Sequence, residues 1–335
     1  MRKLLLLLFP LLLLAEGKSP QEIQAELDHA EAQFEHAKEL FNPWYSGPLI
    51  TGSAAMMPPG IANIQPYLFV TDIYAAFDED RHSVDISKII NANPLFIIQT
   101  GITSWMDTIL TVQGEESWQN HHQSGGFGDT TLQLGLKILK QGLWIPAMKI
   151  YINETFPTGR YENFSADKAA VSTTGSGAYT TSFSLNASKI LFWDTLHPTS
   201  FRLSLNYYIS TSVHVHGLNA YGGGFGTKGT IHPGNTFKLS FGTEMSLTQR
   251  WVLANDLVYQ ATSRTTFSGN PGVDAKGDLA PIGNGFSDSL SLAPAIEYNF
   301  SPNLGILAGV WFTVYGRNSS NFVSGVFTVT YTYNW

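Results

Sequence analysis

Nine histidines and a handful of ionisable residues on alternating positions are the groups in this chain with spacing that could support chemistry. His214 and His216 form an "HVH" in which a period of two places both rings on one face of a strand. Such a pair could begin a metal site, but no third ligand is identifiable nearby, so it reads as part of a loop and no metal or cofactor is expected. "QNHHQ", with His121 and His122, is weaker, because neighbours on a strand point oppositely. A hydrolase would need a Ser or activated water with His and an orienting carboxylate or amide. His121, His122, His214 and His216 are expected near the outer rim, yet no spacing singles out a triad, and the chain is not expected to be an enzyme. "GGGFGTKG" resembles a phosphate loop only superficially, since its lysine does not precede a helix; it reads as a mobile surface loop.

A second set is more regular. Lys137, Lys149, Arg202, Lys238, Glu244, Asp256 and Glu297 all fall on the polar parity of alternating segments. On 201–209, Phe201, Leu203, Leu205, Tyr207 and Ile209 alternate with Arg202, Ser204, Asn206 and Tyr208. On 237–247, Phe237, Leu239, Phe241, Met245 and Leu247 oppose Lys238, Ser240, Gly242, Glu244 and Ser246. On 290–300, Leu290, Leu292, Ile296, Tyr298 and Phe300 oppose Ser291, Ala293, Glu297 and Asn299. These are strands. The polar parity is mostly Ser, Thr, Asn, Gly and Ala, whereas the solvent face of a soluble sheet carries many Lys and Glu. An inside-out barrel follows, with apolar side chains on lipid and small polar ones lining the lumen. The ionisable set then faces inward near one rim, where it either forms a basic arc opposite an acidic arc or pairs into a plug of salt bridges.

Bulk composition agrees. The 335 residues are only 13% charged and equally 13% aromatic, with 31 glycines. A net charge of -7 argues against a nucleic-acid partner, and the lack of cysteine excludes disulfides, thiolate metal sites and an acylated N-terminal cysteine. "MRKLLLLLFPLLLLAEG" has a basic head, an apolar run and a small-x-small end, so residues 1–17 are expected to be a signal peptide. In 18–42, Ile23, Leu27, Ala30, Phe34, Ala37 and Phe41 recur at steps of four and three, predicting an amphipathic periplasmic helix that lies on the rim or oligomerises. Residues 43–61 are rich in Pro and Gly and read as an irregular linker.

About twelve strands follow over 62–335, near 62–77, 95–103, 108–120, 129–139, 144–156, 178–191, 200–213, 235–247, 251–265, 288–300, 304–315 and 321–335. Short turns such as "TSWMD", "KQG", "TQR" and "SPN" alternate with long stretches, among them "DEDRHSVDISKIINAN" and "HVHGLNAYGGGFGTKGTIHPG". That alternation, with an even strand count, describes an all-β, up-and-down antiparallel barrel of the bacterial outer membrane with both termini periplasmic. Trp251, Tyr298, Phe300, Tyr331, Tyr333 and Trp335 cluster near the short turns, as an aromatic belt at the headgroup level requires. Val326 alone breaks the parity of the last strand.

The ending "FTVTYTYNW", with Phe327, Val329, Tyr331, Tyr333 and Trp335 on one parity, resembles the C-terminal signature of outer-membrane proteins. That resemblance implies recognition by the barrel-assembly machinery. A narrower one rests on "NPWYSGPLI", "IIQTGITSWMDTILTVQ", "GFGDTTLQLGLKIL" and "FPTGRY", with Gly126, Gly128 and Asp129 stepping into a strand and Pro157, Thr158 and Gly159 stepping out of one. From residue 43 on, the chain is similar to the outer-membrane family associated with the meta-pathway of phenol degradation. The likeness implies a twelve-stranded barrel that passes small, aromatic solutes through the outer-membrane lipid. A structural or adhesive barrel is the alternative.

Overall fold

The computed structural model describes residues 18–40, 43–191 and 197–334. The expected signal peptide and Trp335 lie outside the described residues. After helix α1 (Pro20–Leu40) the chain contains β1 (Ile61–Phe77), β2 (Ser83–Gly101), β3 (Met106–Gln119), β4 (His122–Phe127), β5 (Thr130–Leu139), β6 (Ala147–Phe156), β7 (Thr180–Leu191) and β8 (Thr199–Ser210). It continues with β9 (Val213–His216), β10 (Lys228–His232), β11 (Thr236–Ser246), β12 (Trp251–Thr262), β13 (Thr266–Asn270), β14 (Ser287–Ser301), β15 (Leu304–Arg317) and β16 (Ser319–Asn334). Twelve of these close a ring in the order β1-β2-β3-β5-β6-β7-β8-β11-β12-β14-β15-β16, because β1 pairs antiparallel with both β2 and β16. Every barrel strand thereby has two neighbours and no edge is left unpaired.

The alternation sorts as the sequence predicts. Leu203, Tyr207, Phe241, Leu253, Leu257, Ile296 and Phe327 are exposed on the outside, while Ser204, Ser240, Ser291, Ser324 and Thr328 are buried inside. The belt residues Trp251, Phe300, Tyr331 and Tyr333 are likewise exposed, and Tyr298 sits between Trp251 and Phe300 with ring centroids 4.6 and 4.9 Å away.

One loop expectation is corrected. Within "DEDRHSVDISKIINAN", strand β2 already begins at Ser83, leaving only a tight turn at 78–82. The alternation is interrupted there, because Lys88 falls on the parity of Val84, Ile86 and Ile90 and Ile89 on that of Ser83, Asp85, Ser87 and Asn91. "GGGFGTKG" is corrected as well, since it is packed rather than loose. A Cβ on Gly224 would meet the Val273 carbonyl oxygen at 2.1 Å, and Lys228–His232 forms the middle strand of a β9-β10-β13 sheet in the outer loops. Ala178, Val213, Val215 and Ile231 form the small core of that outer region.

Helix α1 starts in a capping box: Ser19 N–H donates to Glu22 Oε2 at 2.7 Å and Glu22 N–H to Ser19 Oγ at 3.3 Å. Of its stripe, Phe34 is buried, with the Lys189 ammonium 5.6 Å from its ring centroid; Lys189 in turn donates to the Gly142 and Leu143 carbonyls of a short turn. The helix therefore rests against the barrel's short-turn rim.

Candidate functional site

The irregular stretch after α1 does not skirt the barrel. It enters the lumen, and the inward carboxylates of the wall hold its backbone. Ser46 N–H donates to Glu297 Oε1 at 2.8 Å and Gly47 N–H to Glu244 Oε1 at 2.9 Å. Ile50 and Thr51 N–H donate to the two oxygens of Asp256 at 3.1 and 2.9 Å, and Met57 N–H to Asp107 Oδ2 at 3.2 Å. Ala54 N–H finds Ser188 Oγ at 3.0 Å, and Lys149 Nζ donates to the Ala55 carbonyl at 2.6 Å. An extended segment buried away from other strands must satisfy its N–H groups somewhere, and carboxylates are the strongest acceptors available.

The wall makes room for this plug. A Cβ on Gly242 would lie 2.8 Å from Pro48 Cγ, and one on Gly101 would lie 2.2 Å from the Met57 carbonyl oxygen. Leu49 is its apolar anchor, packed on Ala254, Ala293, Leu307 and Val326. The off-parity Val326 is thus explained: it faces inward because Leu49 needs an apolar floor.

The predicted lumen residues divide by partner. Lys149 pairs with Asp107 at 2.8 Å and Arg202 with Glu244 at 2.7 Å, with Lys149, Asp107 and Glu244 fully buried. Lys137 donates to the Ser104 carbonyl of a short turn. Asp256 and Glu297 are fully buried and accept from the plug's N–H groups and, for Glu297, from Asn299 Nδ2. Opposite-sign groups pair locally instead of forming two facing arcs. Asp107 was not singled out from the sequence because "TSWMD" reads as a turn; the signal was its parity with Ile109, Thr111 and Gln113 on β3.

Beyond the plug lies a cavity of about 820 Å³ that runs up the lumen to Thr71, Glu115, Thr155 and Tyr208, toward the outer ends of their strands. Tyr67, Phe69, Leu95, Ile97 and Trp311 form an apolar patch on one side. Tyr67 stacks on Phe69 at 5.8 Å, and Trp311 meets Phe69 edge-on at 6.2 Å while its Nε1 donates to Ser291 Oγ at 2.8 Å. Asn153, Ser182, Ser184, Asn186, Ser204 and Asn206 line the opposite side in two hydrogen-bonded groups: Asn153 Nδ2 donates to Ser182 and Ser184 Oγ at 2.8 and 3.1 Å, and Ser204 Oγ to Asn186 Oδ1 at 2.6 Å. Lys238 also lines the cavity. The lumen is consequently amphipathic, with neutral amides and hydroxyls facing an aromatic and aliphatic wall.

The outer histidines serve structure. His214 Nδ1 lies 3.1 Å from Thr230 Oγ1, His216 Nδ1 3.3 Å from Glu162 Oε2, His232 Nδ1 2.8 Å from Ser212 Oγ, and His122 3.9 Å from Asp167. Among the described residues no three His, Asp or Glu side chains are placed to share a metal ion. In the same outer region Tyr221 donates to the Ser176 carbonyl at 2.8 Å, and burial, with Asp129 nearby, pushes its phenol up to about 12.

Comparison with known proteins places these features. The sequence pattern of a family described as "Putative MetA-pathway of phenol degradation" matches residues 96–329. An outer membrane channel from Pseudomonas putida F1 superposes with a TM-score of 0.66 at 12% identity, covering 84% of this chain and 98% of that one. More distant barrels include the translocator domain of the autotransporter NalP from Neisseria meningitidis (TM-score 0.40, 11% identity, 93% and 97% covered). A mutant of the monoaromatic hydrocarbon channel TodX is similarly remote (TM-score 0.40, 12% identity, 83% and 91% covered). No curated protein matches the chain.

Proposed function

The chain belongs to the family described as Putative MetA-pathway of phenol degradation, and on that premise we propose that it is a passive outer-membrane channel for small solutes, aromatic ones among them. The observation that carries this reading is the amphipathic cavity of about 820 Å³ within the barrel, large enough for a single-ring solute and floored by the plug segment. A ring can lie on Tyr67 and Phe69 while the polar groups of the solute meet the amides and hydroxyls opposite. The plug, held by five N–H groups on four carboxylates, closes the route on the short-turn side. In this reading both termini are periplasmic, so α1 and the plug answer to the periplasm and the long loops to the exterior.

Planar-bilayer recording of the purified, folded protein tests the reading, together with uptake of phenolics, amino acids and sugars into liposomes. Ion current that grows when the plug's anchors are weakened supports a channel. A protein that carries neither current nor any solute, with its plug docked or loosened, overturns it.

A further inference from the structure

Lys238 is a cation of the lumen to which the fold gives no direct partner. It projects from β11 into the cavity, between Asn206 of β8 and Gln260 of β12 in register. Among the described residues no ion pair or hydrogen bond engages its ammonium. The other charged groups around the cavity do not supply one. Arg202 is bound to Glu244, Asp256 attracts the ammonium only through space because both its oxygens already accept from Ile50 and Thr51, and Glu115 sits on β3, five strands round the ring from β11. An ammonium in a partly enclosed, low-dielectric lumen has a strong electrostatic demand for an anion. The patch of Tyr67, Phe69 and Trp311 lies nearly opposite, since β1 is also five strands from β11.

We propose that this cavity binds small aromatic monocarboxylates, with the carboxylate on Lys238 and the ring against Tyr67 and Phe69. The proposal rests on the reading of the lumen as a solute path and adds to it the charge and shape of the solute. A second negative charge on the solute finds no free cation, because the remaining polar lining of β5 to β8 is neutral apart from Arg202, which is paired with Glu244. A cationic aromatic is disfavoured by Lys238 and has Glu115 alone as an uncommitted carboxylate near the outer end of β3.

The test is calorimetric binding of benzoate and of benzamide, its neutral isostere, to the folded full chain in detergent at low salt, with bilayer currents recorded on the same preparations. A charge-assisted contact predicts that benzoate binds about tenfold more tightly than benzamide. Lys238→Met removes that preference and Lys238→Arg restores it; reading the ratio within each variant cancels any change in barrel stability. An unchanged ratio in Lys238→Met, or no preference in the native chain, overturns the proposal whatever the currents show. Preferential benzoate binding without any current retains the site and overturns conduction instead.

Discussion

Asp256 is the wall group on which the plug depends most, because one carboxylate accepts two consecutive N–H groups, from Ile50 and Thr51. Asp256→Asn keeps the shape, removes the charge and leaves one acceptor oxygen, so one of the two N–H groups then faces an amide NH₂. Hydrogen bonds to charged groups contribute about 1.5–3 kcal/mol and neutral ones about 1. Losing one outright and weakening the other destabilises the docked plug by about 2 kcal/mol, which corresponds to a roughly thirtyfold rise in the undocked population. The chain contains no cysteine, so a single thiol reports on this motion cleanly. Thr51→Cys is close to isosteric and its side chain is buried at 3% exposure, hence shielded while the plug is docked. The labelling rate of that thiol by a membrane-impermeant reagent is expected to rise about thirtyfold on adding Asp256→Asn, in step with single-channel open time. An unchanged rate, in a barrel that still migrates as folded, would falsify the assignment of Asp256 as the plug's anchor.

Gly242→Val should open the lumen by another route, since a Cβ there meets Pro48 Cγ at 2.8 Å and Thr51 Cβ at 2.9 Å; a larger conductance with unchanged folding is the expected result. Lys149→Met strands the fully buried Asp107 and should cost about 3–5 kcal/mol, read as a lower urea midpoint, with Asp107→Leu in the same chain recovering much of it. Tyr221 bears on alkaline stability. Its folded-state value is raised, so its contribution is complete below the unfolded value near 10 and fades as pH climbs through about 12. Ultraviolet titration of the native chain and of Tyr221→Phe should differ by a single phenol that ionises near pH 12. Arg81 donates to both oxygens of Asp288 at 2.5 and 2.8 Å and ties the turn at 78–82 to β14. Arg81→Ala should speed proteolysis of that turn while sparing the lumen.

The sequence by itself determined the number of barrel strands and which parity meets lipid, though not the first half of β2 or the strands within the long loops, because alternation is a local property of a period-two backbone. Each alternation such as Phe237 to Leu247 carries its own answer, and twelve such answers add without reference to one another. Tertiary structure alone decided what the inward charges do. Ser46 and Glu297 are 251 residues apart and Ile50 and Asp256 are 206 apart, and only ring closure brings them together. The plug segment has no periodicity because its hydrogen bonds go to side chains of the wall and not to a neighbouring strand, so its text reads as a linker. Val326 looks like a lapse in the pattern, and Gly242 like any small lumen residue, for the same reason. Each is matched to Leu49 or Pro48 across the lumen, and a pairing across empty space leaves no trace in the residues on either side of it in the chain.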